Sequence, residues 1–138
     1  MCEVLRVCWR LTQEIRNERG RLRELRAMAG ALVKEADGMP RGESCSSKVE
    51  KLTVLIVDSE NRIAALEGVK SACVMELYGL INAAVGDSAM RAVLLYRNGY
   101  CKTFRAISRE LGYSERRIYQ LHCSGMKRLQ YHFSMIAV

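Results

Sequence analysis

The stretch Leu111-Gly112-Tyr113-Ser114-Glu115-Arg116-Arg117-Ile118-Tyr119-Gln120-Leu121-His122 passes from one helical pattern to another through a three-residue turn. Gly112 supplies the positive φ that so tight a turn demands. Ser114 is a natural N-cap for a helix predicted over about 115–132. On that helix Ile118, His122, Gly125 and Leu129 fall on one inward stripe, which leaves Glu115, Arg116, Tyr119, Gln120, Cys123 and Lys127 on the opposite face. Before the turn, Thr103 caps a short helix whose inward residues are Phe104 or Ala106, Ile107 and Leu111. A small residue at Ala106 suits a close helix crossing.

Working upstream, Gly86-Asp87-Ser88 marks a boundary, and Asp87 or Ser88 caps a helix with apolar positions Met90, Val93, Leu94 and Tyr96. Asn98-Gly99 ends it, with Gly99 the expected left-handed stop. Residues 87–138 therefore read as a three-helix module of the helix-turn-helix kind.

Such a module is the geometry that duplex readout requires: the first helix lies across the backbone while the second enters the major groove. Arg116 and Gln120 carry the donors that read guanine and adenine edges, and Glu115 can accept from cytosine N4. Thr103, Arg105, Arg109, Arg117, Tyr119, Lys127 and Arg128 are the backbone-facing candidates. Charge points the same way. Residues 1–42 hold nine Lys/Arg and six Asp/Glu, residues 43–87 four and seven, and residues 88–138 nine and two. The last segment thus carries the electrostatic footprint of a phosphate-binding surface.

The preceding 86 residues show two long three-four patterns. Cys8, Leu11, Ile15, Leu22, Leu25, Ala29 and Leu32 form the first, interrupted by Glu18. Val49, Leu52, Ile56, Ile63, Leu66, Cys73, Leu77 and Leu80 form the second, interrupted by Ser59 and Lys70. A Gly/Pro/Ser-rich loop at about 37–47 separates them, with Ser46 or Ser47 as N-cap and Glu50 closing a capping box. The short connection predicts an antiparallel helical hairpin over 1–86, in which a Glu18–Lys70 contact would cover two of the interruptions. The stripes serve intramolecular packing and a homodimer through the hairpin equally. The predicted fold is all-α: long antiparallel hairpin first, three-helix module second. Trp9, Tyr78, Tyr96 and Tyr100 are expected to fill core or interface space.

Other chemistries find little support. No run of about 18 apolar residues suggests a membrane span, and no charged-then-apolar leader is visible. The six cysteines include no Cys-x-x-Cys pair, and His122 and Cys123 are adjacent, which suits no chelate. Reduced thiols, a cytoplasmic setting, no metal and no cofactor are the expectations. No Gly-rich phosphate loop or activated nucleophile is present, so the chain does not read as an enzyme.

From Asp87 to about Leu129 the chain resembles region 4 of sigma-70-type factors. The quoted stretch is closer still to the small phage and prophage regulators of the ArpU/RinA-like group, whose leading helical hairpin and loop Met39-Pro40-Arg41-Gly42 also match. The resemblance implies that Glu115, Arg116 and Gln120 sit at base-contacting positions and Arg117 and Tyr119 at backbone-facing ones. It further implies a bacterial host and action as an activator or accessory factor on host RNA polymerase, since nothing resembles sigma region 2. Two departures stand out. Cys123-Ser124 replaces a more basic or Gly-containing pair. Gly125 stands where Ala is usual, which is expected to loosen the last turns by about 1 kcal/mol. Two other tasks fit the same pattern: a DNA-recognition small subunit of a phage packaging motor, and a helical protein-interaction module.

Overall fold

The computed structural model describes residues 3–36 and 43–136. All its secondary structure is helical, with no strand among the described residues: α1 (Glu3–Ala36), α2 (Glu43–Ala84), α3 (Ser88–Leu94), α4 (Phe104–Leu111) and α5 (Glu115–Ile136). A π-helical turn, Leu95–Gly99, continues α3. No helix among the described residues is long and apolar enough to cross a membrane.

Contacts divide the chain into two compact units, residues 13–68 and residues 1–12 together with 69–138. The first residues of α1 and the last part of α2 therefore belong to the same unit as α3, α4 and α5.

In the unit of residues 13–68, Ile15, Leu22 and Leu25 of α1 and Leu52 of α2 are buried, as the three-four stripes require. The Arg26–Glu60 pair (2.9 Å) and the Arg19–Glu67 pair run in opposite order along the two helices. Both pairs are exposed and add little stability, about 0–1 kcal/mol each. More consequential is the polar contact within the stripes. Ser59, only 3% exposed, donates its hydroxyl to Glu18 Oε1 at 2.9 Å. Arg62 Nη1 lies 3.6 Å from the other carboxylate oxygen. The expected Glu18–Lys70 contact is therefore replaced by Glu18–Ser59 and Glu18–Arg62, a different register. The start of α2 differs as well: Ser46 and Ser47 lie inside the helix rather than capping it, because α2 begins at Glu43. Residues 37–42 of the expected loop lie outside the described residues.

The other unit is built on one core. Leu5 and Cys8 of α1, Val74, Leu77, Ile81 and Val85 of α2, Met90, Val93 and Leu94 of α3, Ile107 of α4, and Ile118, Leu121 and Leu129 of α5 pack together. Each such buried aliphatic side chain contributes roughly 1.5–3 kcal/mol. Asp87 caps α3, accepting from the Ala89 amide at 2.9 Å. Arg91 donates to the carbonyls of Val85 (2.6 Å) and Gly86 (3.1 Å) just past α2, where a cation also meets the negative end of that helix.

Gly99 does not adopt the left-handed stop. The positive φ at this junction falls on Cys101, at 54°, two residues later. Gly99 is instead a close-approach residue: a Cβ there would meet Leu95 Cδ1 at 3.3 Å and Leu77 Cδ2 at 3.6 Å. The π-helical turn shifts the register by one residue, and the buried Asn98 amide spans it by donating to Leu94 O at 3.1 Å. The sequence contains no periodic signal for such a turn.

Candidate nucleic-acid interface

The segment from Thr103 to Ser114 folds locally as its caps dictate. Thr103 Oγ1 accepts from the Ala106 amide at 3.1 Å, and Ile107 turns wholly inward. Gly112 ends α4 in the left-handed region, φ 76°, with its amide on Ser108 O at 2.9 Å. Ser114 Oγ accepts from the Arg117 amide at 3.2 Å and starts α5. The Ser108 hydroxyl donates to Tyr113 O at 2.5 Å, bracing the turn at the surface.

Helix α5 runs to Ile136, four residues beyond the expected end. Its buried stripe is Ile118, Leu121, Gly125 and Leu129. Leu121 takes the deep position expected of His122, which is only half-buried with its ring 5.3 Å from that of Phe104. Burial, and secondarily the Arg97 charge, hold the His122 imidazole below its ordinary value.

Gly125 reverses its expected role. A Cβ there would fall 2.7 Å from Leu94 Cδ1 and 2.9 Å from Leu94 Cγ. The missing side chain is what lets α3 and α5 approach, so Gly125 fixes the mounting of α5 rather than loosening it.

The candidate residues are all on the surface. Glu115, Arg116, Gln120 and Lys127 are exposed, and Arg116, Gln120 and Lys127 follow one line along α5 opposite its buried stripe. From Arg116 to Lys127 that line rises about 16 Å at 1.5 Å per residue. Cys123, expected on the same face, is half-buried. Arg117 and Arg128 are exposed but lie around the helix from that line. Arg105 and Arg109 share the exposed side of α4, opposite Ile107. Thr103 is exposed while its oxygen serves the cap.

Tyr119 is 57% exposed, and its ring meets Phe104 edge-on at 5.8 Å. A hydrogen bond with the Cys123 thiol holds its phenol above the ordinary value.

Charge is partitioned sharply between the two units. Residues 1–12 and 69–138 contain twelve Lys/Arg against five Asp/Glu, whereas residues 13–68 contain ten of each. The unit that bears α4 and α5 therefore carries the whole net charge of +7. Helix α5 has one carboxylate, Glu115 at its start, and none after it.

Sequence reasoning missed a second group beside this surface. Arg97, in the π-helical turn, stacks on Phe104 at 4.4 Å and on Trp9 at 5.1 Å. Trp9, Tyr78 and Tyr100, expected in core or interface space, are exposed and so outside the core, and Tyr96 is half-buried with Lys102 over its ring at 4.7 Å. No group of three or more His, Cys, Asp or Glu side chains among the described residues is placed to hold a metal ion. Cys8, Cys73, Cys101 and Cys123 are free thiols.

No family model, curated protein or solved structure matches this chain.

Proposed function

We infer that the chain is a sequence-specific double-stranded DNA-binding transcription regulator of the phage or prophage type, acting in the bacterial cytoplasm with host RNA polymerase and without catalysis of its own. In this reading α1 and α2 form a helical hairpin, and α3 to α5 form a helix-turn-helix module with α5 as the recognition helix. The observation that carries it is the exposed Arg116–Gln120–Lys127 line, in the unit that bears the entire net charge.

Physical chemistry supports each part. Arg116 and Gln120 keep their donors toward solvent, where base edges would meet them. Arg105, Arg109, Arg117 and Arg128 offer charge for phosphates on either side. Exposed Val54, Leu55 and Val57 on α2 leave an apolar side chain set available to a second copy.

Genome-wide recovery of bound fragments, joined to duplex binding at about 50 mM salt where phosphate contacts are strongest, tests the reading. A shared site in the recovered fragments is the expected result. Absence of duplex binding at that salt would remove the assignment and leave a helical protein-interaction module. A large ring in solution would instead favour the packaging-motor subunit.

A further inference from the structure

The geometry points to Arg97 as a preorganised anchor for a backbone phosphate of the duplex, held in shape by Trp9 and Phe104. The inference rests on the DNA-binding reading and adds to it a contact that neither the sequence pattern nor the recognition-helix face contains.

Three features make the site. The guanidinium lies over two rings, at 4.4 Å from the Phe104 centroid and 5.1 Å from the Trp9 centroid. Its Nη1 donates to Lys102 O at 3.0 Å, which fixes rotation of the planar group. A guanidinium has five N–H donors, and one is so engaged. No buried side-chain nitrogen or oxygen among the described residues lacks a partner. Nε and Nη2 of Arg97, which are engaged in no hydrogen bond, are therefore not fully buried.

The charge is also uncompensated. Glu110, the acidic residue of α4, is taken by Lys102 at 2.6 Å. Arg97 takes part in none of the ion pairs formed among the described residues. A free arginine would lose side-chain entropy on binding an anion, but this one has already lost it to the two rings and the carbonyl. A fixed planar fork with free paired donors matches two oxygens of a phosphate.

Position selects the phosphate of a duplex. The carbonyl that Arg97 holds belongs to the residue before the Thr103 cap, so the guanidinium stands at the entrance to α4. The Phe104 ring beneath it touches Tyr119 and His122 in the first turns of α5, at 5.8 and 5.3 Å. When the start of a recognition helix sits in the major groove, the backbone bordering that groove passes the preceding helix. Exposed Arg105 lies in the first turn of α4. Trp9 brings the first turns of α1 into the interface, although sequence periodicity assigns them to the hairpin.

The test uses the full chain. Arg97→Gln keeps a donor for Lys102 O and removes the charge. Expected is weaker binding to all duplexes alike, a salt slope shallower by about 0.9, and an unchanged ratio of cognate to bulk affinity. Trp9→Ala keeps every charge but removes one ring; about two- to fivefold weaker binding at unchanged slope is expected. Trp9 is the sole tryptophan, so its emission in the unaltered protein should change with the same midpoint as duplex binding. That readout stands even where a variant fails to fold.

An unchanged slope in folded Arg97→Gln, or Trp9 emission unmoved at saturating duplex, overturns the anchor and leaves the regulator reading intact. A wild-type chain that binds no duplex at all removes both.

Discussion

Leu94 of α3 occupies the space in which a side chain at position 125 of α5 would begin, with its Cδ1 2.7 Å from an ideal Cβ on Gly125. Leu94 is itself wholly buried, so it has nowhere to retreat. Helix propensity favours Ala over Gly by about 1 kcal/mol, whereas overpacking a closed core costs about 1–3 kcal/mol. Gly125→Ala is therefore expected to lower stability in denaturant unfolding, while Ser124→Ala, on the exposed neighbouring position, is expected to leave it unchanged or raise it. A stabilised Gly125→Ala protein would mean that α3 and α5 do not meet this closely.

The Glu18–Ser59 contact predicts an asymmetry between single and double replacement. Ser59→Ala leaves a half-buried carboxylate short of a hydrogen bond and should cost about 1.5–3 kcal/mol. Replacing Glu18 and Ser59 together by Leu removes the polar requirement and should restore most of that loss or exceed it. Equilibrium unfolding of the three proteins decides the matter. A harmless Ser59→Ala would show that Arg62 alone satisfies Glu18.

The proposed DNA-binding function predicts that candidate base-reading and phosphate-binding residues separate in binding. Arg116→Ala is expected to cost about 1–3 kcal/mol on the cognate site and much less on bulk DNA. Lys127→Ala should weaken both alike and reduce the salt slope by about 0.9. Titrations at several salt concentrations give both quantities, and equal losses for Arg116→Ala on both kinds of DNA would take base reading away from that residue.

Acid sensitivity should trace in part to His122, whose imidazole is held below its ordinary value by burial first and by Arg97 second. As pH falls through about 6.5 the unfolded chain takes up this proton while the folded chain resists it. Its contribution to stability is thus fully present above that pH and is lost on acidification. His122→Gln should flatten this part of the stability curve between about pH 7.5 and 5, measured by denaturant midpoint. An identical acid limb in the variant would place the sensitivity elsewhere.

Much of this molecule is legible in its sequence alone. The caps at Asp87, Thr103 and Ser114, the left-handed Gly112 and the inward Ile107, Ile118 and Leu129 all follow from local chemistry. Side-chain caps and turn conformations depend on residues a few positions apart, so a linear reading captures them. The three-four stripes of α1 and α2 belong to the same class, since a helix buries one side whatever its partner.

What the linear reading could not supply are relationships set by contact between distant segments. Glu18 finds Ser59 rather than Lys70 because register is fixed by how two whole surfaces interlock. Gly125 is a seat for Leu94, a role no local propensity contains. The π-helical turn, the left-handed Cys101 and the stacking of Arg97 between Trp9 and Phe104 depend on residues up to 95 positions apart. Local sequence thus determined which helices form and which faces are apolar. Tertiary packing decided their pairing and the placing of Arg97, because close packing admits few arrangements and the energies that choose among them act between residues remote along the chain.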